Sequence, residues 1–277
     1  MIQMAREKAQ ARSGQCLVYT FRPHPQAVLR PRSPIDLILP YEKKLQILAD
    51  LGVDQTLEEP FTWEFSQTDA ETFFQTIMID RLGAEVIVVG YNFSFGKGRQ
   101  GQLETLREFC QRAKIELIVV EPHCIQGQVV SSSQIRQLLL AGEVEKASVF
   151  LGRLFSYQGL VLKGEGRGKK LGFPTANLKI ENQLTLPFGV YATWARVAGQ
   201  TYRSVTNVGV RPTFQEAGFA ASVLVETHLM EGSPDLYGLP LEVQFVSRIR
   251  SEKKFTGVEA LREQIAKDLT EALGRLT

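Results

Sequence analysis

Gly164-Glu165-Gly166-Arg167-Gly168-Lys169-Lys170-Leu171-Gly172-Phe173-Pro174-Thr175-Ala176-Asn177 decides how the second half of this chain folds and works. Its first nine residues hold four glycines and three cations. Glycine lets backbone N–H groups come close to phosphate oxygens, and the cations neutralise polyphosphate charge. The spacing is not that of Gly-x4-Gly-Lys-Ser/Thr, so a P-loop is excluded. Taken alone, such a loop reads equally well as a surface hairpin. The tail is more specific. In an extended segment residues i and i+2 share a face, so Thr175 and Asn177 offer a hydroxyl and an amide oxygen side by side. Neutral oxygens in that arrangement suit a hard cation such as Mg²⁺. The competing reading makes both of them turn residues that bond their own backbone.

Outward from this stretch the pattern is strand after strand. Phe155–Leu162, Gly189–Val197, Tyr202–Val208, Ala221–Met230 and Leu241–Val246 are short and punctuated by Gly and Pro. That spacing predicts a small antiparallel barrel or sandwich. One helix follows, opened by the capping-box pattern Thr256-Gly257-Val258-Glu259, with an apolar stripe at Val258, Leu261, Ile265 and Leu269.

The first half alternates helix and strand. Met1–Ala11, Tyr41–Leu51 and Gln102–Ala113 read as helices. Thr68-Asp69-Ala70-Glu71 opens a further helix through Arg81. Gln15–Phe21, Ala84–Gly90 and Glu116–Glu121 are apolar runs of strand length. Such runs separated by helices predict an α/β, Rossmann-like module with a parallel sheet. Short helices at Ser133–Leu140 and Glu143–Leu151 close this half, and the character of the sequence changes at Gly152. The expected domains are 1–151 and 152–277.

Composition narrows the function classes. The hydrophobic fraction is 44%, the charged fraction 22% and the net charge +2, so no global field advertises nucleic acid or membrane. Residues 151–277 carry 16 Lys+Arg against 12 Asp+Glu, a mild positive excess that suits a phosphate-rich ligand. Cys16, Cys110 and Cys124 form no metal or redox pattern. The expectation is a cytoplasmic protein with small-molecule substrates, and the sequence sets no oligomeric state.

Several segments then resemble one family in order. Gly164–Asn177, with its Leu-Gly-Phe-Pro-Thr-Ala-Asn ending, resembles the nucleotide and magnesium motif of riboflavin kinases. Other segments of that family are matched by Gly189-Val190-Tyr191, Asn207-Val208-Gly209-Val210-Arg211-Pro212-Thr213-Phe214, the glutamate-bearing strand Leu224-Val225-Glu226-Thr227-His228-Leu229 and Arg250-Ser251-Glu252-Lys253-Lys254-Phe255. The resemblance implies transfer of the γ-phosphate of ATP to riboflavin, giving FMN, with Mg²⁺ as cofactor. It implies Glu226 as the catalytic base, and Thr175 and Asn177 as metal ligands. Gly164, Gly166, Arg167, Gly168, Lys170, Thr175 and Asn177 form the ATP site, with Arg250 and Phe255 on the flavin side. His228, on the same strand face as Glu226, reads as structural.

The first half resembles the FMN adenylyltransferase module that bacteria fuse to this kinase in FAD synthetases. The matching segments are Thr20-Phe21-Arg22-Pro23-His24-Pro25, Val89–Gly101 with Asn92 and Phe93, and Ser131-Ser132-Ser133-Gln134-Ile135-Arg136. Ser132, Ser133 and Arg136 are implied nucleotide contacts. The departure is as informative: no Phe-Asp-x-x-His occurs anywhere, and no His precedes His24. The module therefore reads as N-terminally truncated, without its first strand, and FAD synthesis from FMN and ATP is expected only if that motif is restored. The competing reading is a chain that is truly short, with adenylyl transfer lost or crippled. A non-catalytic flavin- or nucleotide-binding protein is the alternative to an enzyme.

Overall fold

The structure is a computed structural model that describes residues 1–277 apart from 33–35, 165, 167, 169–170, 181–182, 211–222 and 233. Two compact units emerge, Met1–Ile35 with Leu39–Cys124, and Asp36–Ile38 with Ile125–Thr277.

The first unit runs α1 (Ile2–Ala11), β1 (Leu17–Arg22), α2 (Pro25–Leu29), α3 (Tyr41–Asp50), β2 (Gln55–Pro60), α4 (Trp63–Ser66), α5 (Ala70–Phe73), β3 (Val86–Gly90), α6 (Leu103–Ala113) and β4 (Glu116–Val120). β1 pairs in parallel with β2, and β3 in parallel with β4. The core is aromatic, with Phe73, Phe74, Phe95 and Phe109 packed ring to ring. The predicted capping box at 68–71 is realised one residue later. Asp69, not Thr68, is the N-cap, and its carboxylate accepts from the Thr72 N–H at 2.9 Å. That helix widens into π-helical turns over Phe74–Arg81. β2 had no sequence signal: Gln-Thr-Leu-Glu-Glu-Pro is polar, and it is a strand because β1 supplies its ladder.

The second unit contains α7 (Ser132–Leu140) and α8 (Val144–Leu151). They are followed by β7 (Phe155–Leu162), β8 (Ala176–Leu178), β9 (Gly189–Val197), β10 (Gln200–Val210), β11 (Val223–Leu229) and β12 (Pro240–Ser251), and by the C-terminal helix α9 (Val258–Arg275). A two-stranded ribbon, β5 (Cys124–Ile125) and β6 (Gln128–Val129), precedes them. The six strands from β7 to β12 close into an antiparallel barrel in the order β10-β11-β8-β7-β12-β9. Phe155, Tyr157, Tyr191 and Phe245 fill its interior edge to face, at 5.0–5.3 Å between the ring centroids of Phe155–Tyr157, Tyr157–Phe245 and Tyr191–Phe245. Burial raises the Tyr157 phenol, whose hydroxyl donates to the Leu184 carbonyl at 3.0 Å and accepts from the Leu186 N–H at 2.8 Å. Burial also lifts the Tyr191 phenol to about 12.

The expected boundary is 151/152; the compact units part at 124/125. The reason is packing: Ile135, Leu139, Val144 and Ala147 of α7 and α8 are buried in the same cluster as the barrel interior. α9 covers the outer barrel face through Leu269, Ala272 and Leu276, against Val190, Ala192, Val205 and Trp194. Of the predicted stripe, Val258 is 53% exposed; its helix is capped by Gly257, with no side-chain cap bond.

Candidate functional site

The barrel register puts three predicted or quoted residues in one row. Glu226 on β11 stands opposite Asn177 on β8 and opposite Asn207 on β10. Directly opposed residues in an antiparallel pair project to the same face, with Cβ atoms about 5 Å apart. That face is the outer one, because the alternate residues Ala176, Leu178, Val225, Thr227, Thr206 and Val208 are all buried. Glu226, Asn177 and Thr175 are half-buried. Thr175 lies two residues before Asn177, so the hydroxyl and the carboxamide fall along one edge of the row.

The glycine stretch lies against this edge. A Cβ on Gly164 would sit 2.1 Å from the Asn177 Nδ2, and one on Gly168 would sit 2.4 Å from the Phe173 carbonyl and 3.1 Å from the Thr175 Oγ1. The contact at Gly168 is with backbone and admits no side chain, whereas a side chain at 164 would have to displace the Asn177 carboxamide. Gly166 is required by conformation, since its φ of +69° lies in the left-handed region. The Phe173 N–H donates to the Gly168 carbonyl at 2.9 Å, closing the turn. The predicted phosphate-side residues Arg167 and Lys170, and residues 211–214 of the Asn207–Phe214 motif, lie outside the described residues.

His228 Nδ1 is 2.8 Å from the Pro174 carbonyl, and the imidazole meets the Phe173 ring edge-on at 5.7 Å. Of the residues expected to contact flavin, Arg250 has its guanidinium engaged with Asp268 of α9. Nε donates to both carboxylate oxygens at 2.9 and 3.0 Å and Nη2 donates to Oδ2 at 2.7 Å. The carboxylate is 3% exposed, so this is a desolvated pair. The same guanidinium carbon lies 5.7 Å from the centre of the half-buried Phe255 ring. A Cβ on Gly209 would meet the Glu252 Oε1 at 2.9 Å and the Asn207 Nδ2 at 3.5 Å, which puts a second carboxylate beside the row. Asn207, Glu252 and Asp268 were not singled out by sequence reasoning. The first two sat inside quoted motifs, but only strand pairing and the fold of β12 reveal their company.

The remaining predicted residues divide between the units. Phe93 stacks on Phe95 at 5.6 Å, and Asn92 follows β3 in the first unit. Ser132, Ser133 and Arg136 open α7 in the second. There Ser131 is the N-cap, accepting from the Gln134 N–H at 3.2 Å, and the Arg136 Nε donates to the Asp36 carbonyl at 2.8 Å. A cavity of about 1640 Å³ lies inside the first unit, bordered by Leu17, Val18 and Tyr19 of β1 and by Val86–Val89 of β3.

A closed barrel with a carboxylate facing a carboxamide and a glycine-rich segment against them is an arrangement suited to a phosphate-bearing ligand. Comparison with known proteins makes the class specific. Residues 151–276 match the Flavokinase family (riboflavin kinase), and residues 1–134 match the FAD synthetase family. The chain is 36% identical to a bifunctional riboflavin kinase/FMN adenylyltransferase of Bacillus subtilis over 99% of its own length and 86% of the relative's. It is 32% identical to the Listeria monocytogenes protein of the same name over 97% of this chain and 84% of that one. A Streptococcus pneumoniae crystal structure, named as a macrolide-efflux protein, superposes with a TM-score of 0.85 at 28% identity, over 97% of this chain and 86% of that one. Among the described residues no helix is long and apolar enough to cross a membrane. The chain belongs to the bifunctional riboflavin kinase/FMN adenylyltransferase family.

Proposed function

We propose that residues 152–277 phosphorylate riboflavin to FMN with ATP and Mg²⁺, and that Glu226, Thr175 and Asn177 are the working residues. The observation that carries this reading is the register of Glu226 opposite Asn177 beneath the glycine stretch. Phosphoryl transfer needs alignment and charge neutralisation more than covalent catalysis. Glu226 takes the proton from the ribityl 5′-hydroxyl as its oxygen bonds to the γ-phosphorus. The bond from that phosphorus to the β,γ-bridging oxygen breaks, and ADP leaves with the electron pair. The donor set fits a hard cation: Thr175 and Asn177 offer neutral oxygens, and the lack of a side chain at Gly164 leaves the carboxamide its place. Magnesium held there would neutralise phosphate charge.

Gly164, Gly166, Arg167, Gly168 and Lys170 wrap the phosphates in this reading. Phe255 offers a ring to the flavin, and Arg250, anchored by Asp268, shapes and polarises that wall. Free cysteines at 16, 110 and 124 support a reducing, cytoplasmic setting. Adenylyl transfer from ATP to FMN is assigned to residues 1–151, with Asn92 and Phe93 on the flavin side and Ser132, Ser133 and Arg136 on the phosphates. It is expected to need the Phe-Asp-x-x-His motif.

The test incubates the protein with riboflavin, ATP and Mg²⁺ and separates FMN from FAD by chromatography. Glu226→Gln should cut FMN formation by about 10²- to 10⁴-fold, the usual contribution of a positioned base. A wild-type rate in that variant rejects the assignment. Thr175→Ala and Asn177→Ala should shift the magnesium titration to higher concentration; an unmoved curve favours the turn-residue reading.

A further inference from the structure

The register pairs Glu226 with Asn177 and Thr227 with Ala176, where the ladder with β8 ends, and His228 is the next residue of β11. His228 shares the outer face of β11 with Glu226 and lies beside the segment that leads into β8. His228 also makes a defined bond, 2.8 Å from Nδ1 to the Pro174 carbonyl. A carbonyl only accepts, so Nδ1 is the donor. Both the Nδ1–H tautomer and the imidazolium can make this bond, so its role is geometric and not a matter of charge state. The imidazole also meets the Phe173 ring edge-on.

The segment from Phe173 to Thr175 is held from two sides. The Phe173 carbonyl and the Thr175 hydroxyl lie against Gly168, where no side chain fits, and the Pro174 carbonyl is held by His228. Pro174 lacks an N–H and cannot donate to a strand ladder, so β8 begins only at Ala176. Thr175 thus stands just outside the sheet, where backbone pairing does not fix it. We infer that His228 is a positioning residue of the phosphoryl-transfer site: by holding the Pro174 carbonyl it sets the direction of the Thr175 hydroxyl, and with it the site for metal-bound nucleotide. This inference rests on the reading of Thr175 and Asn177 as ligands and adds to it a residue that touches neither substrate.

The experiment compares His228→Leu, which removes the donor, with His228→Asn, whose amide N–H reaches about as far as Nδ1. Steady-state FMN formation is measured while Mg·ATP and riboflavin are varied separately, with Glu226→Gln and Thr175→Ala in parallel. His228→Leu should raise the KM for Mg·ATP about tenfold, as for one lost hydrogen bond, while the riboflavin KM stays within about twofold. His228→Asn should recover most of that loss. If Leu and Asn behave alike, or if both KM values move together, the positioning role is rejected and His228 is packing only. Should the Leu variant not fold, His228→Gln takes its place, since its donor lies one bond too far, and the same two outcomes apply. Wild-type activity in Glu226→Gln or Thr175→Ala would instead overturn the underlying reading; losses there with wild-type His228 variants would overturn only this inference.

Discussion

The two halves of the molecule solve the same problem, an unpaired strand edge, with different success. In the second unit six strands close on themselves, and Phe155, Tyr157, Tyr191, Val225, Val243 and Phe245 are fully buried. In the first unit the strands stand as two separate parallel pairs that border a common cavity, and most apolar residues of β1 and β3 stay half-exposed. Parallel strands are usually covered on both faces, and closure alone removes edges. Proximity of Glu226, Asn177 and Asn207 follows from β11 pairing with β8 on one side and β10 on the other, in a register that the buried barrel interior fixes. The open unit offers no comparable constraint, and its predicted residues meet no such row.

The largest expected effect is on the closed unit. Asp268→Ala leaves the Arg250 guanidinium partly buried without its carboxylate, which should cost about 3–5 kcal/mol in chemical denaturation. A loss below about 1 kcal/mol would mean that the pair behaves as an exposed one and does not anchor α9 to β12. Tyr157→Phe comes next. It strips the Leu186 N–H and the Leu184 carbonyl of their buried partner, at about 1–3 kcal/mol by the same measurement. A neutral result would show that the loop from Leu184 to Leu186 finds other partners.

The smallest effect lies in the open unit. The hydrogen bond from Lys8, with the charges of Lys8 and Arg12, holds the Glu116 carboxyl below its ordinary range and ties α1 to the start of β4. A carboxylate depressed in the folded state stabilises above its unfolded pKa and loses that contribution as pH falls through the folded value. Amides of α1 should therefore exchange faster as pH drops below the usual glutamate range, once intrinsic rates are divided out. Glu116→Gln should remove that pH dependence. A wild-type profile in the variant would assign the fraying to other groups.

Legibility in the sequence follows the same division. β7 and β9 were bounded correctly because alternation and flanking Gly or Pro are local signals. β10 and β12 run longer than predicted, since barrel partners extend them past their apolar residues. β2 is polar and was not seen, and β8, three residues long, appeared only as an extended segment. Thr175, Asn177 and Glu226 could be proposed from motif order. That Asn207 completes the row, that Arg250 is bound by Asp268 and that His228 holds Pro174 depended on pairings between residues 18 to 54 positions apart.

Taken by itself, the sequence determined the two-part character of the chain and most strand and helix positions, and it nominated Thr175, Asn177 and Glu226, because periodicity, capping and motif spacing are encoded within a few residues. Only the tertiary structure decided which strands are neighbours, that α7 and α8 pack with the barrel, and which polar groups face one another. Those outcomes depend on closing a sheet and burying its interior, a condition satisfied by the whole unit together and written in no single segment.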